Sequence, residues 1–168
     1  STLFPYTTLF RSGELLVLKS WGLRLAEELL QQPDATALNW TALDLSGRPV
    51  QDGAFALQQR ASADGDPAGT FFSSLPKGEQ RTGTWQSDAF PLPEQLSFFF
   101  AGHDGFPDKP LGRKNLVLLL SAGSGRVLME AAPPRNDLAQ PVQWDLTAWA
   151  GKPGYLELVD GDAAGAYA

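Results

Sequence analysis

Short apolar runs separated by clusters of Gly, Pro, Asp and Ser fill the chain from Leu38 onward. Runs of this length between turn-forming residues predict β-strands. The pattern gives about seven candidate strands, the sixth of which continues into a hairpin partner. They span residues 39–43, 54–59, 69–73, 83–87, 95–101, 115–121 followed by 126–131, and 155–160. We therefore expect an all-β domain.

Two of these strands are almost continuously hydrophobic. Residues 96–100 and 116–120 lack the alternation of a half-exposed strand, so they are expected at the centre of a β-sandwich, covered on both faces. The short glycine-rich turn at 121–125 joins residues 115–121 to 126–131 and predicts an antiparallel hairpin.

The segment before the strands has a different period. Leu18, Trp21, Leu25 and Leu29 recur at spacings of three and four, which predicts an amphipathic helix ending at Pro33. Its polar face is mixed in sign, which favours packing against protein over binding to a membrane surface. We expect residues 13–33 to form a docking or linking helix, with no membrane insertion in this chain.

The two ends are interpreted separately from the domain. Residues 1–12 carry no Lys, no carboxylate and no periodicity, and they resemble the translation of a sequencing adapter. We leave them out of the fold. At the other end the chain stops at Gly165-Ala166-Tyr167-Ala168, inside a strand-like pattern with no signal that ends it. The β-sandwich over 38–168 is therefore predicted to be truncated and to belong to a longer protein.

Composition narrows the function. The 168 residues include 13 Lys plus Arg against 19 Asp plus Glu, and the net charge of -6 disfavours binding to nucleic acid. Cys is absent and His103 is the single histidine, which excludes disulfides, thiolate zinc sites, cysteine nucleophiles and three-histidine metal sites. We expect one domain of ordinary size, and the composition favours a binding function over catalysis.

A particular order of features runs from Phe98 to Asp162. An apolar strand ends in Gly102-His103-Asp104-Gly105, and after the hairpin come Trp144-Asp145-Leu146 and the strand 155–160. This order resembles the galactose-binding-like jelly-roll modules beside catalytic domains of bacterial secreted glycoside hydrolases, including the levanase and fructosidase group. The resemblance covers roughly half of the chain. It implies a jelly-roll β-sandwich, an extracytoplasmic location (secreted or periplasmic) and a carbohydrate ligand.

Three other segments resemble a second group. Residues 102–110, 133–137 and 160–162 are similar to jelly-roll segments of large bacterial extracytoplasmic proteins that also carry cytochrome c domains. This resemblance implies a structural or interaction domain that contacts neighbouring domains and binds no glycan. Any haem chemistry would then belong to another part of the parent protein, because this chain has no Cys.

The Trp144-Asp145-Leu146 triplet favours a structural interpretation. Trp and Leu bury apolar area, while Asp145 can accept hydrogen bonds from the turn that follows it. The alternative, contact with a ligand, is the weaker interpretation.

The loop after residue 102 is the candidate binding surface. Loops at one rim of a rigid sandwich collect binding residues, and carboxylate, amide and guanidinium groups suit sugar hydroxyls. The candidate ligand-binding residues are His103, Asp104, Arg113 and Asn115. The alternative is a hydrogen-bonded corner in which these side chains satisfy backbone groups. Candidate aromatic platforms for a sugar are Phe106, Trp85 and Trp149, each of which could equally belong to the core.

Asp-Gly-Asp occurs twice. Paired carboxylates suit a hard cation with many oxygen ligands, so Asp64, Asp66, Asp160 and Asp162 form a candidate calcium site if the fold brings the two copies together. The alternative is a pair of ordinary turns.

Catalysis is not expected. Asp104 with Asp160, or Glu130 with Glu157, could be nominated as an acid–base pair, but nothing in the sequence places either pair at catalytic separation. Nucleophile-elbow, phosphate-loop, dinucleotide and zinc-protease motifs are absent from the sequence. The expectation is a non-catalytic carbohydrate-binding module, with a structural or interaction domain as the alternative.

Overall fold

A computed structural model describes residues 38–164. The adapter-like segment, the predicted helix over 13–33 and the last four residues lie outside the described residues. Ten strands and two 3-10 turns make up the described part, and within it no helix is long and apolar enough to span a membrane. The strands are β1 (Trp40–Leu43), β2 (Ala56–Arg60), β3 (Gly69–Ser73), β4 (Gly83–Ser87), β5 (Phe90–Pro91), β6 (Gln95–Gly102), β7 (Asn115–Ser121), β8 (Val127–Ala131), β9 (Asn136–Asp145) and β10 (Pro153–Asp160). The 3-10 turns are Leu75–Lys77 and Thr147–Trp149.

The larger sheet has the order β1-β4-β10-β7-β8, with every neighbouring pair antiparallel. The short strand β5 pairs with the start of β10. Strand β10 lies at the centre and pairs with β7 over seven residues, from Gly154 opposite Ser121 to Asp160 opposite Asn115. This register places the end of β10 beside the start of β7.

Two further antiparallel pairs, β2-β3 and β6-β9, complete the described fold. A parallel bridge between Ser62 and Ala139 connects the chain just after β2 to β9. Its two hydrogen bonds run from Ala63 N to Ala139 O at 2.9 Å and from Ala139 N to Ala61 O at 3.1 Å. The two pairs are thereby linked side by side.

The core joins these pairs to the larger sheet. Strand β10 alternates strictly, with Leu156 and Leu158 buried and the residues between them partly exposed, as expected for one covered face. These leucines pack with Leu96 and Phe98 of β6 and with Phe71 of β3 in one cluster. Burying each such side chain stabilises the fold by about 1.5–3 kcal/mol. The result is a β-sandwich-like architecture built from antiparallel sheets.

The predicted strands are confirmed as elements, with ends shifted by a few residues, and the hairpin of β7 and β8 is confirmed with a bulge near Leu119 and Leu120. The structural interpretation of Asp145 is also confirmed. Its Oδ1 accepts hydrogen bonds from Thr147 N at 3.0 Å and from Thr147 Oγ1 at 2.6 Å, at the first residue of the second 3-10 turn. Trp144 is buried against Phe98 with ring centroids 4.9 Å apart.

The longest strand, β9, was not predicted, because its sequence contains Pro141 and several polar residues. Proline lacks the N–H that a paired strand donates, so it argues against a strand interior. The pairing explains how it is tolerated. Ala139 N–H points away from β6 toward Ala61, and Pro141, two residues later, has the same orientation. The missing donor therefore removes no bond from the β6-β9 ladder.

We predict that Leu156→Ala lowers the free energy of unfolding by about 2–5 kcal/mol, because Leu156 is fully buried and its loss leaves a cavity between the layers. The matched control is Leu57→Ala, whose side chain is 50% exposed and whose loss is expected to change stability by about 0.5 kcal/mol or less. Urea unfolding of the full chain measures both. Equal losses in the two variants would contradict this description of the core.

Candidate functional site

Asp104 is fully buried, and its carboxylate holds the two ends of the 102–115 loop together by hydrogen bonds. Its two oxygens accept hydrogen bonds from the backbone N–H groups of Arg113, Lys114 and Asn115. Gly112 lies so close that an added Cβ would be 3.2 Å from Asp104 Oδ1. The carboxylate therefore joins the two ends of the loop and is shielded from solvent.

Asn115 makes a second connection next to it. Its Nδ2 donates to His103 O at 3.0 Å, and its Oδ1 accepts from Gly161 N at 3.1 Å. The buried amide thus ties together the end of β6, the start of β7 and the residue after β10. Arg113, which has a left-handed backbone with φ 58°, directs its guanidinium to an ion pair with Glu130 on β8.

The side chain of His103 faces a carboxylate of another strand. Its Nε2 lies 3.6 Å from Asp137 Oδ1 at the start of β9. Asp137 Oδ1 is also 3.4 Å from Arg60 Nη1 at the end of β2. The three side chains bring β2, β6 and β9 together at one end of the sandwich.

A cleft of about 200 Å³ opens at this end. The ends of β3 and β6 form one wall, and the start of β7 with the end of β10 forms the other. Its walls contain five phenylalanines as well as Val117 and Leu158: Phe55, Phe71, Phe72, Phe99 and Phe100. Polar groups surround this apolar surface: Arg60, Ser73, Ser74, Glu79, His103, Asn115, Asp137 and Asp160.

Asp160, the last residue of β10, is 5% exposed and lines the cleft. Burial raises the pKa of its carboxyl above the usual value near 3.8, and the negative charge of Asp162 acts in the same direction. Hydrogen bonds from the Ser74 hydroxyl and from the Asp162 backbone N–H oppose this rise. An acidic group in an apolar wall is a recognised mark of a binding site.

The remaining Asp-Gly-Asp carboxylates each have partners of their own. Asp64 Oδ1 accepts from Ser62 Oγ at 2.6 Å, and Asp66 Oδ1 accepts from Ala68 N at 2.9 Å. Asp162 pairs with Lys114 Nζ at 3.1 Å. Between residues 38 and 164, no three acidic or imidazole side chains come together closely enough to hold a metal ion. The two copies therefore do not form a joint site in the described chain.

The nominated aromatic platforms lie elsewhere. Phe106 is 52% exposed on the loop, and Trp149 packs against the core. Trp85 stacks with Trp40 and Phe55 at centroid distances of 6.1 and 5.9 Å. None of the three lines the cleft. The phenylalanines that do line the cleft belong to apolar runs that predict core strands. Periodicity alone therefore could not identify them as cleft residues.

The second nominated acid–base pair lies outside the cleft. Glu130 and Glu157 are the register partners of Leu118 on its two neighbouring strands, which puts their Cα atoms about 9–10 Å apart. Glu157 accepts a hydrogen bond from Gln86 at 2.8 Å, and Glu130 pairs with Arg113. Asp104, from the first nominated pair, has no exposed surface.

Sequence reasoning missed Arg60, Ser74, Glu79 and Asp137. Asp137 lies in the 133–137 segment that resembles the cytochrome c-associated proteins, but nothing marked it as a partner of His103. Ser74 and Glu79 lie in the connection between β3 and β4, and Arg60 ends β2, so only the fold brings Arg60 to the other two.

No protein-family model, curated protein sequence or solved structure matches this chain. The function is therefore argued from the geometry of the cleft.

We predict that Asp104→Asn lowers the free energy of unfolding by about 1.5–3 kcal/mol, because an amide replaces a charged acceptor of three backbone N–H groups. Asp108→Asn, an exposed substitution in the same loop, is expected to stay within about 0.5 kcal/mol of the parent chain. Thermal or urea unfolding at neutral pH compares the two. A loss no larger than that of the control would contradict the structural role of Asp104.

A second prediction concerns pH. Because the pKa of Asp160 is raised by folding, the folded protein binds this proton more tightly than the unfolded chain. The free energy of unfolding therefore falls as pH rises from about 3.8 through the raised pKa. Asp160→Asn removes this fall, so the variant gains stability relative to the parent chain as pH rises through that window.

Asp145→Asn is the control, because folding lowers the pKa of Asp145 whereas it raises that of Asp160. The Thr147 hydroxyl lowers the pKa of Asp145, so this carboxylate's contribution to stability is present above the ordinary pKa and is lost as pH falls through the lowered one. Unfolding measured between pH 3 and 7, a range chosen around ordinary carboxyl pKa values of about 4, compares both variants with the parent chain. Parallel pH curves for Asp160→Asn and the parent chain would contradict the first expectation.

Proposed function

We propose that the described β-sandwich is a non-catalytic binding module whose cleft takes a sugar ring or the end of a saccharide chain. The observation that carries this proposal is the cleft itself, in which an apolar wall of phenylalanines is surrounded by carboxylate, guanidinium, imidazole and hydroxyl groups. Small-molecule sites combine an apolar lining with a few placed polar groups in the same way.

The chemistry of a sugar fits both parts of this surface. Its C–H face can pack on phenylalanine, while its hydroxyls can both donate and accept hydrogen bonds. Asp137 and Ser74 offer oxygen acceptors at the cleft. The volume of about 200 Å³ is below the ~300–1,000 Å³ of pockets for drug-sized ligands. A single ring is the matching size.

The type of β-sandwich and the kind of parent protein belong to the same proposal. We propose a galactose-binding-like jelly roll within a larger extracytoplasmic bacterial protein. The antiparallel strands, the cleft at one end of the sandwich and the resemblance between residues 98 and 162 support it. Of the four candidate residues, His103 and Asn115 line the cleft, while Asp104 holds the loop that carries them.

A structural or interaction domain is the second candidate, and a specific observation favours it. The 102–115 loop presents Phe106 and Leu111 to solvent. The loop is held in place, because Arg135 donates to Pro107 O at 3.2 Å and to Asp104 O at 3.3 Å. Two exposed apolar side chains on a fixed loop could contact a neighbouring domain of the parent protein.

The test of sugar binding is an NMR titration of the full chain with neutral monosaccharides. We expect shift changes at cleft residues and a Kd in the range of about 0.1–10 mM, because one ring makes few contacts. His103→Ala and Asp137→Ala are each expected to raise the Kd about tenfold or more, since each removes a polar group from the cleft.

Asp108→Ala is the matched control, because this exposed carboxylate lies outside the cleft; we expect a change of less than about twofold. Shift changes restricted to the Phe106 loop, or no change in a chain whose NMR spectrum shows it to be folded, would contradict the sugar site. Phe106→Ala then tests the interaction surface, since it should weaken contact with neighbouring domains and leave the cleft unchanged.

A further inference from the structure

The charges around the cleft are unbalanced. Three carboxylates line it, those of Glu79, Asp137 and Asp160, and the guanidinium of Arg60 is the one Lys or Arg group among the described residues that line it. The imidazole of His103 is the remaining titratable group there. The walls between these groups are mainly phenylalanine and aliphatic side chains, and a low-dielectric wall strengthens the field of the charges.

Arg60 is already engaged. Its Nη1 donates to the backbone oxygen of Asp137 at 3.3 Å and approaches Asp137 Oδ1 at 3.4 Å, while its Nε donates to Gln58 Oε1 at 3.1 Å. This pairing compensates the charge of Asp137. It also reduces the number of guanidinium N–H groups that can bind an anionic ligand. A bidentate hydrogen-bonded pair with a carboxylate requires two free N–H groups on the same edge of the guanidinium.

Among residues 38–164, no Lys or Arg forms an ion pair with Glu79 or Asp160. The donors to Asp160 are uncharged, namely the Ser74 hydroxyl and the Asp162 N–H. The nearby cations are paired elsewhere: Lys77 and Arg81 each lie 2.8 Å from Asp52, and Lys114 lies 3.1 Å from Asp162. None of these three lines the cleft. Two carboxylates therefore face the ligand volume without a cationic partner from the described chain.

We infer that the cleft selects a saccharide carrying an ammonium group over its neutral or carboxylate-bearing counterparts. This inference rests on the proposed function and adds the class of ligand. An ammonium group has three donors and matches carboxylate acceptors such as Asp160 and Glu79. A cation is also attracted to the face of an aromatic ring, and five phenylalanines line the cleft. A uronic acid would place a further negative charge beside the carboxylates of Asp160 and Glu79.

The test compares three sugars that differ in charge, in NMR titrations of the full chain. Glucosamine, N-acetylglucosamine and glucuronic acid serve as the cationic, neutral and anionic probes. We expect glucosamine to bind about tenfold or more tightly than N-acetylglucosamine, with glucuronic acid weakest. The preference should shrink as salt is raised, since part of the site is open to solvent.

Two variants locate the charge effect. Asp160→Asn keeps the shape of the side chain, and Glu79→Gln alters an exposed residue that the core does not need. We expect each to reduce the preference for glucosamine to about threefold or less, measured as the ratio of the Kd values for N-acetylglucosamine and glucosamine in the same variant. If Asp160→Asn does not fold, Glu79→Gln alone decides the matter.

The outcomes separate the inference from the proposed function. Equal binding of glucosamine and N-acetylglucosamine at the cleft would overturn the charge selectivity and leave the sugar site intact, as would tighter binding of glucuronic acid. Absence of shift changes with all three sugars, and with the neutral monosaccharides, would overturn both. A glucosamine preference that persists in both variants would show that these carboxylates are not its source.

Discussion

The end of the sandwich that carries the cleft depends on one buried carboxylate. Asp104 accepts hydrogen bonds from three backbone N–H groups at the end of the 102–115 loop. The neighbouring Asn115 amide connects that loop to β6 and to the residue after β10. A buried charge is costly unless it is fully hydrogen-bonded, so this arrangement tolerates little variation. Because His103 and Asp160 lie at the ends of the strands tied in this way, the same bonds set the position of both cleft groups.

The cleft is a continuation of the core. Phe71, Val117 and Leu158 belong to the buried interior and also line the cleft, so the apolar wall is made by the side chains that hold the two layers together. Polar groups appear where the strands end, since a chain leaving the sheet exposes its backbone and turns to solvent. The contrast between an apolar wall and a polar rim therefore follows from the end of a sandwich, and the surplus of carboxylates gives this one its particular character.

Individual residues show how far the sequence could predict the site. Asp104 and Asn115 were recognised as significant because polar residues follow an apolar strand, yet the same pattern allowed both a ligand contact and a hydrogen-bonded corner. The structure places the Asp104 carboxylate in the corner, with His103 beside Asp137 at the cleft. Arg60 at the end of β2, and Ser74 and Glu79 in the connection between β3 and β4, gave no signal, because these segments become part of the cleft only through long-range packing.

The sequence by itself determined the all-β class, most of the strands, the β7-β8 hairpin and the hydrogen bonds that Asp145 accepts from the turn after it, because these depend on local periodicity and on hydrogen bonds between near neighbours. Tertiary structure decided the position of β9, whose proline is acceptable only because its N side faces away from β6. It also decided the separation of the two Asp-Gly-Asp turns and the meeting of β2, β6 and β9 at the cleft. These depend on which strands pair and on the register in which they pair, and that is fixed by burial across the whole sandwich.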